Sequence, residues 1–395
     1  MRYIETQKFS DVYVSCKTLM PFNKQSITAL NVLIYMMKSK TEGMDSKQKM
    51  ASYLNRAYGT KVYYGLTSYG NLVNIDIRFR FIRPDWIEQE NYTRDLIYIM
   101  DQVLFHSVLD EDTFKEAVYL LENRLLAIQD DPASLSCLYA FELASPNHSI
   151  AIPVQGNMED LKQLTLKDVK DVYALYMELA KHFYVCGAIN DTLFHYLKGL
   201  DFHSSLLNER TLLTKSEVAY KVWTKDIAQT CLSQVYATSI DIESADYYPL
   251  CVMNSILGQS QKSLLFDEIR EKNSLCYSIY SSLIRFDGAL LIHTGTQKEN
   301  VDKVNHLIEK QIQRLSSMDY EDEYLDIAQK GFKDSIIQGL DQPSSLIAQA
   351  FLDDLLHRNL TKQDRINKIM NVTKEDIARV ASQLDLVSCA IIEEV

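Results

Sequence analysis

The 395 residues exceed the roughly 100–200 that one ordinary core takes, so two or more domains are expected. At 47% hydrophobic and 24% charged residues the chain has the composition of a soluble globular protein, not of a disordered one. Its net charge of -12 is the wrong sign for nucleic acid or an anionic membrane surface, and no apolar run approaches the ~20 residues of a membrane span.

The N-terminal stretch MRYIETQKFSDVYVSC has no apolar leader segment, so a cytoplasmic location is expected. Seven cysteines, an odd number without CxxC spacing, fit free thiols in a reducing compartment. The first strand is DVYVSCKTLMPF, where Val12, Val14 and Cys16 alternate with polar positions. A helix follows from Ser26, its expected N-cap, to about Lys40, with Leu30, Leu33, Ile34 and Met37 on one face. A second helix runs from Ser46 to Ala57. Two strands, KVYYGLTS and NLVNIDIRFRF, then turn at Tyr69-Gly70. Helical patterns cover about 92–129, 133–144 and 165–179, and the strand HFYVCGAI closes the unit.

The second half repeats that order. QTCLSQVYATSI is a strand, 244–257 and 263–271 are helices, and SLCYSIYSSLI and GALLIHTG are strands turning at Phe286-Asp287-Gly288. Helices over about 301–339, 343–357 and 373–384 precede the strand LVSCAII. Two short motifs recur at nearly equal offsets. Asp131-Pro132-Ala133-Ser134-Leu135 echoes Gln342-Pro343-Ser344-Ser345-Leu346, and Thr165-Leu166-Lys167-Asp168-Val169 echoes Thr373-Lys374-Glu375-Asp376-Ile377. Pro suits a first helical turn, and Thr with an acid three residues on suits a capping box. The expected fold class is therefore α+β: two homologous halves, each a mainly antiparallel sheet with helices on one face. The expected domains are 1–205 and 226–395, joined by a linker over 206–225.

The sharpest motif is in the second half. After Gly258 the chain reads Ser263-Leu264-Leu265-Phe266-Asp267-Glu268-Ile269-Arg270-Glu271-Lys272, then Leu275-Cys276-Tyr277-Ser278. This segment, with the duplicated halves around it, resembles the insulinase/pitrilysin metallopeptidases, which include mitochondrial processing peptidase. The resemblance covers nearly the whole chain. It implies two halves closing like a clam around a chamber, and an inverted zinc motif, H-x-x-E-H, on the first long helix. There two histidines and a later Glu hold zinc while the Glu between the histidines activates water.

Laid on that motif, this chain has Asn31 and Tyr35 at the two histidine positions and Ile34 at the general-base position. An amide and a neutral phenol are not usual zinc ligands, and an alkane moves no proton. Glu116 and Glu122 stand where the third ligand is expected, but one carboxylate cannot hold zinc alone. The eight histidines, at 106, 148, 182, 195, 203, 293, 306 and 357, show no ligand spacing. No G-x-S-x-G elbow is present, and Cys276 lies in a strand between Leu275 and Tyr277.

The resemblance thus implies an inactive subunit with no metal or cofactor of its own and no catalytic residue. Zinc is expected in a homologous active partner. Arg270 and Tyr277 match residues that position substrate backbone in active relatives, so they are the expected substrate-binding pair. Silent Gram-positive members of the family are linked to bacteriocin maturation or elongation factor P modification. The implied function is to pair with an active homologue and help process a peptide or precursor. Two rival readings stay open: a stand-alone peptidase with a non-standard metal site, and a non-catalytic scaffold.

Overall fold

A computed structural model describes residues 1–201, 206 and 209–395. His203 and the linker positions Leu207 and Asn208 lie outside the described residues. The chain forms two compact units, each built on a five-stranded mixed sheet.

The first sheet contains β1 (Arg2–Ile4), β2 (Asp11–Pro21), β3 (Lys61–Tyr69), β4 (Leu72–Ile82) and β5 (His182–Cys186), in the order β1-β5-β2-β4-β3. The second contains β6 (Ala219–Lys225), β7 (Thr230–Ala237), β8 (Cys276–Ile284), β9 (Ala289–Thr296) and β10 (Asp385–Glu394), in the order β6-β10-β7-β9-β8. The two orders are the same when read strand for strand. Among the described residues only the pairs β1–β5 and β6–β10 are parallel. Each unit is therefore α+β, and the duplication legible in the sequence is a duplication of topology.

Local signals explain most helix ends. The capping boxes at Thr165/Asp168 and Thr373/Asp376 both form, with the Thr side chain accepting from the Asp backbone and the Asp carboxylate accepting in return. The helix Lys24–Met37 starts earlier than Ser26 suggests, because Asn23 is the cap: its Oδ1 accepts from Ser26 N at 3.0 Å. The long helical pattern over 92–129 breaks into Tyr92–Phe105 and Glu111–Asp130, where Asp110 and Thr113 cap each other reciprocally. The pattern over 301–339 likewise breaks into Val301–Ser316 and Asp322–Gly339, past Met318 at φ 60°. The expected linker contains strand β6, which pairs with β10 over seven residues.

The compact units do not follow the contiguous division 1–205, 206–225 and 226–395. One unit is Met1–Leu125, Val154–Glu209 and Gly339–Asn359; the other is Leu126–Pro153, Arg210–Gln338 and Leu360–Val395. The cause is an exchange of one helix from each half. The helix Pro132–Ala144 packs on β7, β9 and β10, and the helix Pro343–Leu355 packs on β2 and β5. These are the two helices that open with the repeated Pro motif.

The exchange covers a second face of each sheet. In the second sheet Leu232, Tyr236, Leu290 and Ile292 face the main core. Val235, Ala237, Ala289 and Leu291 face Ala140 and Ala144 of the exchanged helix. All eight residues of β7 are consequently buried, as in a strand covered on both sides. In the first sheet the Lys17–Asp76 pair, closed at 2.8 Å, lies on the same face as Phe351 of its exchanged helix. Tyr64, on the other face, donates to Met37 O of the Lys24–Met37 helix at 3.2 Å.

Candidate functional site

The helix Lys24–Met37 buries ten of its fourteen residues. Asn31 is 4% exposed, and its Nδ2 donates to Ile27 O at 2.9 Å and to Val154 O at 2.8 Å. Ile34 is buried at 6% exposure and Tyr35 is half-buried. The structure brings these three together at one cleft of about 370 Å³, which Lys38, Tyr64 to Ser68, Arg124, Val154 and Gln155 also line.

This donor set does not fit zinc. The Asn31 amide is committed to two backbone carbonyls, and among the described residues no carboxylate or imidazole lines the cleft. The lining charges are instead the cations Lys38 and Arg124, which repel a metal ion. Lys38 is depressed below the usual lysine range, first by burial and then by Arg124. Glu116 is engaged elsewhere: it pairs with Lys47, and its Oε2 accepts from Ser39 Oγ at 3.5 Å. Glu122 is exposed. No cluster of three His, Cys, Asp or Glu that could hold a metal occurs among the described residues.

The second group of predicted residues belongs to the other unit. One wide helical turn, Ser255–Gln259, precedes the sharp motif and a second, Phe266–Lys272, forms its middle; the first closes with Ser260 N donating to Ser255 O at 3.3 Å. Such i→i+5 turns recur at functional sites. Gly258 is dictated by close approach, since a Cβ there would stand 2.9 Å from the Ser281 backbone nitrogen of β8. Leu264, Leu265 and Ile269 anchor the segment in the core. Asp267 accepts from the Tyr324 hydroxyl at 2.6 Å.

Arg270 and Tyr277 are brought together by this anchoring. The Arg270 guanidinium carbon lies 4.6 Å from the Phe266 ring centre and 5.5 Å from that of Tyr277. Its ionic contact is a 3.7 Å approach to Glu271 in the same turn. Tyr277 is 78% exposed, so it does not pack in the sheet. Cys276, next to it, is half-buried and its thiol is pushed up by burial, the wrong direction for a nucleophile.

Two polar groups in this unit superficially look like hydrolase constellations. Ser233 Oγ lies 2.9 Å from His293 Nδ1, with Ser136 Oγ and Cys137 Sγ beside it. Burial depresses His293 to about 4 and raises Cys137. The second group is Ser149, which donates to Asp287 at 2.7 Å, beside His148, whose Nε2 donates to Thr211 O at 2.8 Å. Ser233 and His293 are 0% and 5% exposed, and Asp287 is 5% exposed. Both groups sit under packed elements and act as buried contacts.

Residues 183–332 match the family model described as Peptidase M16 inactive domain. Over that stretch the chain is similar to the M16 peptidases. The matched stretch runs from β5 past the Arg270 segment. Over nearly its full length the chain is similar to the "Probable inactive metalloprotease YmfF" of Bacillus subtilis (strain 168), with 24% identity over 395 residues, covering 97% of this chain and 93% of that protein. A shorter stretch of 155 residues is 23% identical to the "Antilisterial bacteriocin subtilosin biosynthesis protein AlbE" of Bacillus subtilis, covering 38% of each. A crystal structure of a conserved protein from Enterococcus faecalis V583 shares the fold at a TM-score of 0.91 and 21% identity, covering 100% of this chain and 96% of that one. The inactive-domain match and the likeness to a probable inactive metalloprotease agree with Asn31, Ile34 and Tyr35 standing at the H-x-x-E-H positions. Among the described residues no helix is long and apolar enough to cross a membrane.

Lys38 and Arg124 are the cleft residues that motif matching passes over. Lys38 follows Tyr35 by three positions, so its place on the same helical face is a signal present in the sequence. Arg124 reaches the cleft only through tertiary packing.

Proposed function

We propose that this chain is the silent member of a pair. It binds a zinc-carrying homologue and grips an extended peptide or precursor, of bacteriocin type or similar, while the partner cuts. The reading rests on Arg270 and Tyr277. Their segment is anchored in the core, yet the Arg fork and the phenol stay at the surface, with neither committed to a buried contact. A surface pair of this kind suits hydrogen bonding to peptide carbonyls. Strand β8, which carries Tyr277, is an edge strand of its sheet and is suited to adding a peptide strand. The partial likeness to AlbE supports a biosynthetic peptide as substrate. The seven free cysteines suit a reducing cytoplasm.

The test is reconstitution with a homologue from the same genome that carries H-x-x-E-H. Cleavage of a fluorogenic peptide is measured with and without this chain, alongside size-exclusion chromatography. The expected result is a complex and a faster rate, with Arg270→Ala or Tyr277→Ala losing the rate gain but keeping the complex. A complex whose rate ignores both substitutions identifies a scaffold instead. The absence of both a complex and a rate change overturns the proposal.

A further inference from the structure

We infer that the cleft standing where a zinc peptidase holds its metal is, in this chain, a carboxylate-binding site whose cationic groups are Lys38 and Arg124. The inference rests on the peptide-gripping reading above and adds the chemistry of the peptide that fits. The protein carries 53 acidic and 41 basic residues, yet among the described residues this cleft collects two cations and no carboxylate. Neither cation has an ion pair among the described residues.

Lys38 is held in place rather than left as a loose tail. Its Nζ stands 5.1 Å from the Tyr35 ring centre and 5.5 Å from that of Tyr64. Two like charges sharing a partly desolvated cleft repel, and Arg124 adds to the depression of Lys38. An anion between them relieves both the repulsion and the lost hydration. The Arg fork and the ammonium together supply the charge-assisted donors that a carboxylate accepts.

The cleft also explains how a peptide carries its carboxylate there. One wall is residues 65–68 of β3, an edge strand with no second strand partner among the described residues. Gly65 leaves bare backbone at this edge, and a backbone without a side chain permits close approach. A peptide laid along β3 brings an acidic side chain or its C-terminus to the cations. The zinc position has thus changed from a metal that polarises a peptide bond to side chains that hold an anion.

The test uses short fluorescein-labelled alanine peptides in three sets. One carries a single Glu walked along an amidated chain, one carries Gln in its place, and one has a free C-terminal carboxylate. Fluorescence anisotropy is read on the full chain and on Lys38→Gln and Arg124→Gln, both exposed positions whose replacement leaves the core intact. The best Glu or free-acid peptide is expected to bind about tenfold tighter than its neutral match, which one charge-assisted contact is worth. Each substitution removes that difference without weakening the neutral peptide, and added salt shrinks it. A gain confined to the third set identifies a terminal carboxylate. Equal binding of charged and neutral peptides, or a gain that survives both substitutions, overturns the inference alone. No binding by any set overturns it together with the peptide-gripping reading.

Discussion

The helix Lys24–Met37 and the segment around Arg270 carry the two sets of residues that the resemblance singles out, and the fold holds them in opposite ways. The helix has turned inward. Asn31 spends its amide on two backbone carbonyls and Ile34 is buried, so both serve packing. The Arg270 segment keeps its core anchors, Leu265 and Ile269, but leaves Arg270 and Tyr277 uncommitted at the surface. The lesson concerns what holds a residue in place. A side chain whose hydrogen bonds are all internal serves the fold, whereas an exposed pair on a rigid base is available to a ligand.

Substitutions put this contrast at risk. The largest effect is expected at Leu33, fully buried in the helix, where Leu33→Ala leaves a cavity and costs about 2–5 kcal/mol in urea unfolding. Acid comes next, and acts on the other unit. His293 is neutral when folded, with a value of about 4 against 6.5 for the free residue. The unfolded chain therefore binds a proton that the folded one refuses, so stability falls as pH drops through 6.5 and levels off near 4. The loss totals ~3 kcal/mol, and His293→Asn flattens that part of a melting-temperature profile. Asn31→Ala follows, at ~1–3 kcal/mol, because Val154 O loses its donor in a part-buried site. Smallest in stability are Arg270→Ala and Tyr277→Ala, each within ~0.5 kcal/mol by the same unfolding measurement. Their effect is expected in the partner's rate, a fall of about tenfold, equal to ~1.4 kcal/mol of lost positioning. A large stability loss at Arg270 or Tyr277, or none at Asn31, would erase the distinction.

Much of this is legible along the chain. The capping boxes at Thr165 and Thr373 and the alternation in β2 and β4 are local signals, and local signals survive in sequence. The replacement of the motif's histidines and glutamate by Asn31, Tyr35 and Ile34 is legible too, because one helical face carries all three positions. Strands β1 and β6 are not. β1 has only three residues, and β6 gains its order by pairing in parallel with a strand far along the chain. Arg124 escapes as a site residue because no spacing rule links it to Lys38.

The duplicated α+β plan, the erased metal helix and the motif around Arg270 are all written into the order of residues, since each depends on positions near one another in the chain. Only the folded packing makes Pro132–Ala144 and Pro343–Leu355 exchange sheets, and only it gathers two cations in the cleft beside Asn31. Local preference can make a helix, but it cannot say which apolar face the helix will cover. That choice belongs to the burial available once both sheets exist.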